Sequence, residues 1–283
     1  MRLNFLFACA APLLAQQVAL LRPPATPLIT HDPYFSVWSM GDRLYAQPTR
    51  HWTASEQPLT GLIRIDGKVR RFMGTPPRWA ERIEPLEQTS FQLTPTRTMY
   101  TFSGEGVELK LTFLTPALAG DMEILARPVT YLLFDLRSTD ARPHRVRLYV
   151  DASSHIAVDG PAQKTMWSRH QVGALEVIRL GALEQKMLSR SGDNLRIDWG
   201  YFYLAAPASA STVGVTARTR AGIVSTLDLP TPRDLEIPPQ TDRDVCVIAL
   251  AMDLDVPPAG AVSRYLMAAY DCLLYTSPSP RDS

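Results

Sequence analysis

The chain has 283 residues, of which 46% are hydrophobic and 20% are charged. That is enough to bury the core of one large β domain or two smaller ones. Lysine and arginine (29) nearly balance aspartate and glutamate (28), without a block of like charge. This balance argues against a nucleic-acid partner or an anionic membrane and favours a small molecule or another protein surface.

The first 16 residues have the layout of a signal peptide. Arg2 precedes an apolar run from Leu3 to Leu14, and the small residue Ala15 ends the segment. The run is too short to span a bilayer. We therefore expect export to the periplasm or the extracellular space, with no membrane association after signal cleavage. A buried N-terminal strand is the alternative, and Pro12 disfavours it.

Residues 21–96 form a Pro- and aromatic-rich segment that holds one clear hairpin. The stretch GLIRIDGKVRRFMG alternates apolar and polar residues on both sides of Asp66 and Gly67. This dipeptide tolerates the positive backbone angles of a two-residue hairpin turn. The pattern therefore predicts two paired strands here.

Residues 97–260 alternate in strand rhythm with short polar breaks. The predicted strands are TRTMYTF, VELKLTFL, VTYLLFDLRS, HRVRLYVDAS, LEVIRLG, LRIDWGYFYLAA, STVGVTART and DVCVIALAMDL. Helical periodicity is weak, around residues 181–190 and at 261–271, where VSRYLMAAYD predicts the start of a linker helix. The pattern favours an all-β fold, a large antiparallel β-sandwich with little helix. A closed barrel is the alternative.

The sequence offers no sign of a cofactor, a metal site or a disulfide framework. Cys246 lies in an apolar strand, where a free thiol usually packs as a small hydrophobic side chain. The five histidines lack metal-ligand spacing with cysteine or with one another. The familiar motifs of nucleotide-binding loops, serine hydrolases and zinc proteases are also missing.

One aromatic-rich stretch is a candidate binding site. HDPYFSVWS and TRHWT bring together Tyr34, Trp38, Arg50, His51 and Trp52. Aromatic faces with polar tips suit an amide or sugar ligand. The alternative, which we favour, is that these rings fill a sheet edge or an interdomain seam.

Two further stretches carry polar groups. Asp198 and Trp199 adjoin in RIDWGYFYLA, where an indole could raise the pKa of a carboxyl group. On a strand, however, neighbours point to opposite faces, so a solvated carboxylate is expected. The stretch YVDASSHIAVD contains Ser, His and Asp residues, but nothing orders them as a catalytic triad.

Nine stretches in a fixed order give a family resemblance. Together they resemble the amino-terminal half of the glutaminase A family, over residues 21–271. They are LRPPATPLITHDPYFSVWS, TRHWT, TGLIRIDGKVRRFMG, PTRTMYTF, GVELKLTFLTPAL, RPVTYLLFDLRSTD, VRLYVDAS, GDNLRIDWGYFYLA and SRYLMAAYD.

The resemblance implies an exported hydrolase in which the β-sandwich precedes a six-hairpin toroid domain. The implied activity is hydrolysis of L-glutamine to glutamate and ammonia, with catalytic residues mostly beyond Asp271. A small-molecule substrate would bind through that further domain, on which the sandwich would dock. We expect this portion alone to be inactive. A glycoside substrate for the intact protein and a non-enzymatic binding module are the competing hypotheses.

The last residues, 272–283, resemble a translated sequencing adapter. CLLYTSPSPRD matches one reading frame of a transposon-end sequence used in DNA libraries, and it falls where a relative would continue into its next domain. We expect an artefact, which has no place in the fold. A natural, flexible Ser/Pro-rich tail is the alternative. Genomic DNA downstream of the codon for Asp271 tests this expectation.

Overall fold

The computed structural model describes residues 22–75, 83–230 and 245–272. The predicted signal peptide and residues 273–283 of the predicted artefact lie outside these ranges. Cys272, the first residue of that predicted artefact, is described and is buried in the core. The elements up to residue 114 are β1 (Thr26–Asp32), β2 (Phe35–Ser39), β3 (Leu59–Ile65), β4 (Lys68–Met73), β5 (Glu87–Thr94), β6 (Arg97–Gly104) and β7 (Val107–Leu114). The later elements are α1 (Met122–Leu125), β8 (Val129–Ser138), β9 (His144–Ser153), a 3-10 turn (Ser154–Ala157), β10 (Thr165–Val172), β11 (Leu175–Ala182), β12 (Tyr201–Pro207), β13 (Ser211–Thr216), α2 (Ala217–Thr226), β14 (Cys246–Val256) and β15 (Ala261–Asp271).

Two antiparallel sheets form the sandwich. The larger has the strand order β10-β11-β12-β15-β8-β7-β6-β5, and the smaller has the order β13-β14-β9-β3-β4. The ribbon β1-β2 is separate from both. The prediction of a mainly β, antiparallel sandwich is confirmed. No described helix is long and apolar enough to span a membrane.

The core lies between the two sheets. Along β8 every second residue is buried, beginning with Thr130, as expected for a strand with one face on a core. Phe72 of the smaller sheet packs against Phe102 and Phe134 of the larger, with ring centroids 6.0 and 6.1 Å apart. These aromatic contacts join the sheets across the sandwich.

Helix α2 covers the outer face of the smaller sheet. Ile223, Val224 and Leu227 pack with Val213 and Val247 in a second apolar cluster. Strand β14 is thus buried on both faces over Cys246–Met252, which explains its continuous apolar run. The prediction that Cys246 packs in the core is confirmed, and burial raises the pKa of its thiol to about 12.

The predicted hairpin at Asp66 and Gly67 is confirmed. Strand β3 pairs with β4 in antiparallel register, and the two turn residues have φ of 48° and 89°. Positive φ at both central residues matches the twist of a two-residue hairpin. The predicted segment boundary between residues 96 and 97 falls within the β5–β6 hairpin, so residues 21–96 contribute strands to both sheets.

The predicted helix at residues 261–271 is wrong. This segment is strand β15, hydrogen bonded to β8 on one side and to β12 on the other. Leu266, Ala268 and Tyr270 are buried on one face. A place between two strands satisfies the backbone groups of the segment on both edges, and this tertiary pairing overrides its local helical preference.

The weak helical pattern at 181–190 also predicts the wrong structure. Residues 183–200 form an irregular connection between β11 and β12. The helix that the fold does contain, α2, follows Thr216 within a stretch that the sequence predicted as strand, STVGVTART. Packing of its apolar residues on the sheet stabilises this helix, whose sequence has no clear helical period.

We label the two ends of the sandwich by its strands. The upper end is where β9 and β15 finish, at Ser153 and Asp271, and the lower end is where they begin, at His144 and Ala261. At the lower end the imidazole of His144 contacts two carboxylates, with Nδ1 2.7 Å from Asp66 Oδ2 and Nε2 2.9 Å from Asp140 Oδ1. This link ties the β3–β4 turn to the β8–β9 turn.

Replacing Gly61 should destabilise the core. A Cβ at this position would lie 2.3 Å from Cε2 of Phe72, whose ring is held by Phe102 and Phe134. We expect Gly61→Ala to lower the free energy of unfolding by about 1–3 kcal/mol, as overpacked cores do, measured by urea denaturation. The control is Gly160→Ala, where a Cβ meets nothing within 4 Å; an equal loss in the control would contradict the steric explanation.

Stability should depend on pH through His144. The hydrogen bond to Asp66, followed by that to Asp140, raises its pKa above 6.5. The stabilisation is therefore complete below the unfolded-state pKa and is lost as pH rises through the folded pKa. We expect the difference in unfolding free energy between wild type and His144→Gln to shrink from pH 6 to pH 8. Exposed His170, replaced by Gln, serves as control and should leave the pH dependence intact.

Candidate functional site

A pair of adjoining cavities lies at the upper end, against the connection 183–200. The first, which we call the aromatic cavity, has a volume of about 100 Å³ and is lined by Tyr34, Leu188, Ser189, Arg190, Leu195, Arg196, Ile197, Asp198 and Trp199. The second, the polar cavity, measures about 270 Å³ and shares Ser189, Arg190 and Asp198 with the first. Together they bring three of the predicted site residues to one place: Tyr34, Asp198 and Trp199.

Tyr34 is positioned by the turn between β1 and β2. The Asp32 carboxylate accepts hydrogen bonds from the backbone N–H groups of Tyr34 (2.7 Å) and Phe35 (2.9 Å), the pattern of an Asx turn. The Tyr34 carbonyl accepts from the N–H of Ile197 at 3.1 Å. The turn leaves the Tyr34 side chain 52% exposed at the mouth of the cavity.

Asp198 is buried, so the predicted solvated carboxylate is wrong. Its Oδ2 accepts from Gln163 Nε2 at 2.7 Å and from Arg190 Nε at 3.1 Å, and the residue is 4% exposed. Strand alternation does not apply to Asp198, because β12 begins only at Tyr201 and residues 195–200 are irregular. Trp199 beside it is half-buried and packs against the core.

Two arginines bind the connection 183–200 to the body of the sandwich. Arg190 Nη1 lies 3.1 Å from Asp159 Oδ2, while its Nε contacts Asp198. Arg196 donates through Nη1 to Ser55 Oγ at 2.5 Å and through Nη2 to the Asp159 carbonyl. No sequence pattern points to Arg190, Arg196 or Gln163, because their contacts depend on how irregular loops fold together.

His51 and Trp52 adjoin the site on its N-terminal side. Trp52 Nε1 donates to the Pro33 carbonyl at 2.6 Å, which places the exposed indole beside the Tyr34 turn. His51 is fully buried, and its burial lowers the pKa to about 4. A neutral ring whose Nδ1 lies 2.9 Å from Thr53 Oγ1 is a structural element of the loop and not a proton carrier at neutral pH.

Trp38 and Arg50 lie outside the two cavities. Their backbones pair with each other, and Trp38 Nε1 donates to Ser36 Oγ at 3.0 Å. Arg50 donates to the Ala54 carbonyl at 2.8 Å and contacts Glu56 at 3.1 Å. Arg50 thus closes the loop after β2 against Trp38, which belongs to that strand.

The Ser, His and Asp residues around 151–159 do not form a triad. Asp151 makes a bidentate ion pair with Arg220 at 2.6 and 2.9 Å and accepts from Tyr149. Asp159 is bound to the two arginines of the upper site. Within the described residues neither carboxylate contacts the imidazole of His155, and Ser153 only caps the 3-10 turn that follows it.

The geometry of the upper site suits binding more than chemistry. The paired Arg190 and Asp198 line the aromatic cavity together with Tyr34 and Trp199. Such a combination can hold the apolar face and the polar edge of a small ligand. The described residues contain no cluster of His, Cys, Asp and Glu that could hold a metal ion.

Removing the Asp198 carboxylate should loosen the connection 183–200. Asp198→Ala leaves Arg190 Nε and Gln163 Nε2 without their acceptor. We expect amide hydrogen exchange across 186–197 to rise about tenfold, the effect of losing charge-assisted hydrogen bonds worth about 1.5 kcal/mol. The matched control is Asp193→Ala, which removes an exposed carboxylate from the same connection. A similar rise in both variants would contradict the idea that Asp198 holds the connection in place.

Comparison with known proteins finds one enzyme relative and remote structural likenesses. The chain is 29% identical over 192 residues to "Glutaminase A" of Aspergillus oryzae, a match that covers 65% of this chain and 27% of the relative. Among solved structures, a putative kojibiose phosphorylase from the human microbiome covers 87% of this chain and 29% of its own at 8% identity and a TM-score of 0.41. The heparan sulfate lyase HepC of Pedobacter heparinus matches 68% of this chain and 22% of its own chain, at 7% identity and a TM-score of 0.34. At these scores neither structure identifies a fold or an activity.

Two domain families match along the chain. Residues 8–78 match the "Domain of unknown function (DUF4964)", and residues 96–272 match the "Domain of unknown function (DUF5127)". The second match contains β6 to β15, and therefore most of both sheets and most of the upper site. Because it covers more than half of the 283 residues, the chain belongs to the DUF5127 family.

Proposed function

We propose that this chain is the β-sandwich portion of an exported, glutaminase A-like hydrolase that releases ammonia from L-glutamine. The observation that carries the proposal is the similarity to Glutaminase A over 192 residues. The matched part spans only 27% of that relative, so the activity is assigned to the whole protein. Reaction chemistry then belongs to a further domain, and the sandwich supports it.

The arrangement of the described polar residues supports a non-catalytic role. Asp151, Asp159 and Asp198 are each bound by arginine, and these contacts occupy oxygens that a catalytic carboxylate would need free. His51 and His155 have pKa values lowered by burial. No general acid or base is paired with a nucleophile among the residues that the structure describes.

The exposed side chains of the upper end support docking to that further domain. Tyr34 and Trp52 are each 52% exposed, and Leu188 is 71% exposed. Large apolar side chains gathered around a cavity are typical of an interaction surface. We propose that a catalytic domain covers this end, so that the aromatic cavity opens into the seam between the domains.

Export is proposed from the first 16 residues alone. Their charge, apolar run and small residue match a cleavable signal. Mass spectrometry of the secreted protein should find an N-terminus at Gln16 or Gln17. An intact Met1 would remove this part of the proposal.

A carbohydrate substrate is the second candidate. Tyr34 and Trp199 line the same cavity as Arg190 and Asp198, and aromatic rings beside hydrogen-bonding groups also suit a sugar. Assaying the full-length protein on glutamine and on a panel of glycosides separates the two. Turnover of glycosides without ammonia release from glutamine would favour the second candidate.

The purified 283-residue chain should release no ammonia from glutamine. The expected result follows from the absence of an assembled catalytic set in the described residues, and a coupled glutamate dehydrogenase assay measures it. The full-length protein encoded by the source genome is the positive control. Robust turnover by the short chain would overturn the assignment of chemistry to another domain.

A substitution in the upper site should weaken binding in the full-length protein without abolishing catalysis. We expect Tyr34→Ala to change KM or to weaken domain association, with kcat reduced less than about tenfold, because the ring lies at a binding surface. Tyr131→Ala, on the outer face of β8, is the matched control. A loss of kcat by more than about a thousandfold, with the fold intact, would instead place Tyr34 in the reaction itself.

A further inference from the structure

A second groove lies at the lower end of the sandwich, opposite the upper site. Its volume is about 630 Å³, and its walls come from the β3–β4 turn, the segment that follows α2, and the lower parts of β9, β14 and β15. No aromatic residue is among the described residues that line it. We call it the lower groove, and its lining is dominated by arginine and aspartate.

Part of this charge is already paired within the groove. Strand register places Arg64 opposite Arg147, and Arg147 opposite Asp253. Asp228 lies 3.0 Å from Arg64 and 2.7 Å from Arg147, and thus separates the two like charges. Arg147 also forms a bidentate pair with Asp253 at 2.7 and 2.6 Å. These four side chains form a satisfied network along one wall.

Asp66 is occupied as well. Its Oδ2 contacts the imidazole of His144, and its Oδ1 accepts from the backbone N–H of Arg145 at 2.9 Å. The hydrogen bond to Asp66, followed by that to Asp140, raises the pKa of His144 above its usual value. Both carboxylate oxygens of Asp66 are therefore already engaged by hydrogen bonds within the protein.

Three ionised side chains remain in the lining. Arg145 lies opposite Asp255 in strand register, and Arg264 of β15 donates through Nη1 to the Ser263 carbonyl at 2.9 Å. In the part of the chain that the structure describes, none of the three forms an ion pair. Two guanidinium groups thus face the groove against one exposed carboxylate.

We propose that the lower groove binds a small hydroxylated carboxylate, the chemistry of an acidic monosaccharide such as a uronate. Arg145 and Arg264 would take the ligand carboxylate, because a guanidinium presents donors that match its two oxygens. Asp255 accepts hydrogen bonds only, which suits the hydroxyl groups of the ligand.

The dimensions and lining of the groove agree with this class. Its volume falls within the range of small-molecule sites and exceeds that of a single sugar ring. Because the described lining has no aromatic ring, recognition would rest on charge and hydrogen bonds and not on stacking. This site is separate from the upper site and does not depend on the proposed glutamine hydrolysis.

Calorimetric titration of the 283-residue chain tests the proposal. Glucuronate is the probe, at low ionic strength, with glucose and acetate as comparators. We expect glucuronate to bind measurably and both comparators to bind at least about tenfold more weakly, since each lacks one of the two recognition elements. Arg145→Gln and Arg264→Gln should each weaken glucuronate binding about tenfold or more, the effect of losing one charge-assisted contact.

The control is Arg142→Gln, an exposed arginine at the same end that does not line the groove. Circular dichroism checks that each variant is folded, and Arg145→Lys, which keeps the charge, should retain part of the affinity. Absence of glucuronate binding, equal binding of glucose or acetate, or an equal loss in the control variant would overturn the proposal.

Discussion

The pairing of β15 between β8 and β12 is the constraint on which the larger sheet depends. Four strands lie on one side of β15 and three on the other, and they meet only through its two ladders. Leu266, Ala268 and Tyr270 supply the buried face of this strand. Both edges of β15 are hydrogen bonded to neighbouring strands and one of its faces is buried. Both interactions favour the strand conformation. The same pairing brings the end of β15 to the connection 183–200, where the upper site forms.

Much of the fold is predictable from local patterns, and the failures have physical causes. The Asp66-Gly67 hairpin and strands such as β8 follow from turn chemistry and period-two alternation. β15 was missed because Leu, Met and Ala favour helix locally, while pairing partners more than a hundred residues away decide otherwise. α2 was missed because its contacts with the sheet, and not its own periodicity, stabilise it.

The upper site was predictable only in part. The sequence indicated Tyr34, Asp198 and Trp199, and the structure brings them together. It did not indicate that Asp198 is buried, because that burial depends on Arg190 and Gln163 reaching it across loops. Trp38 and Arg50 are near Tyr34 in sequence, yet Trp38 lies within β2 and pairs with Arg50 of the following loop, outside the two cavities. Composition predicts a surface with polar and aromatic residues, but it does not predict which of these residues lie together in space.

The central position of β15 has a consequence for the order of folding. Its residues, 261–271, are synthesised after every other described strand, yet they fill the middle of the larger sheet. Until they emerge, β8 and β12 each present an unpaired edge, which is a template for pairing with other chains. Contacts of such long sequence separation also form slowly. A nascent or shortened chain that lacks this strand is therefore expected to be aggregation-prone and to need protection until the last ladder closes.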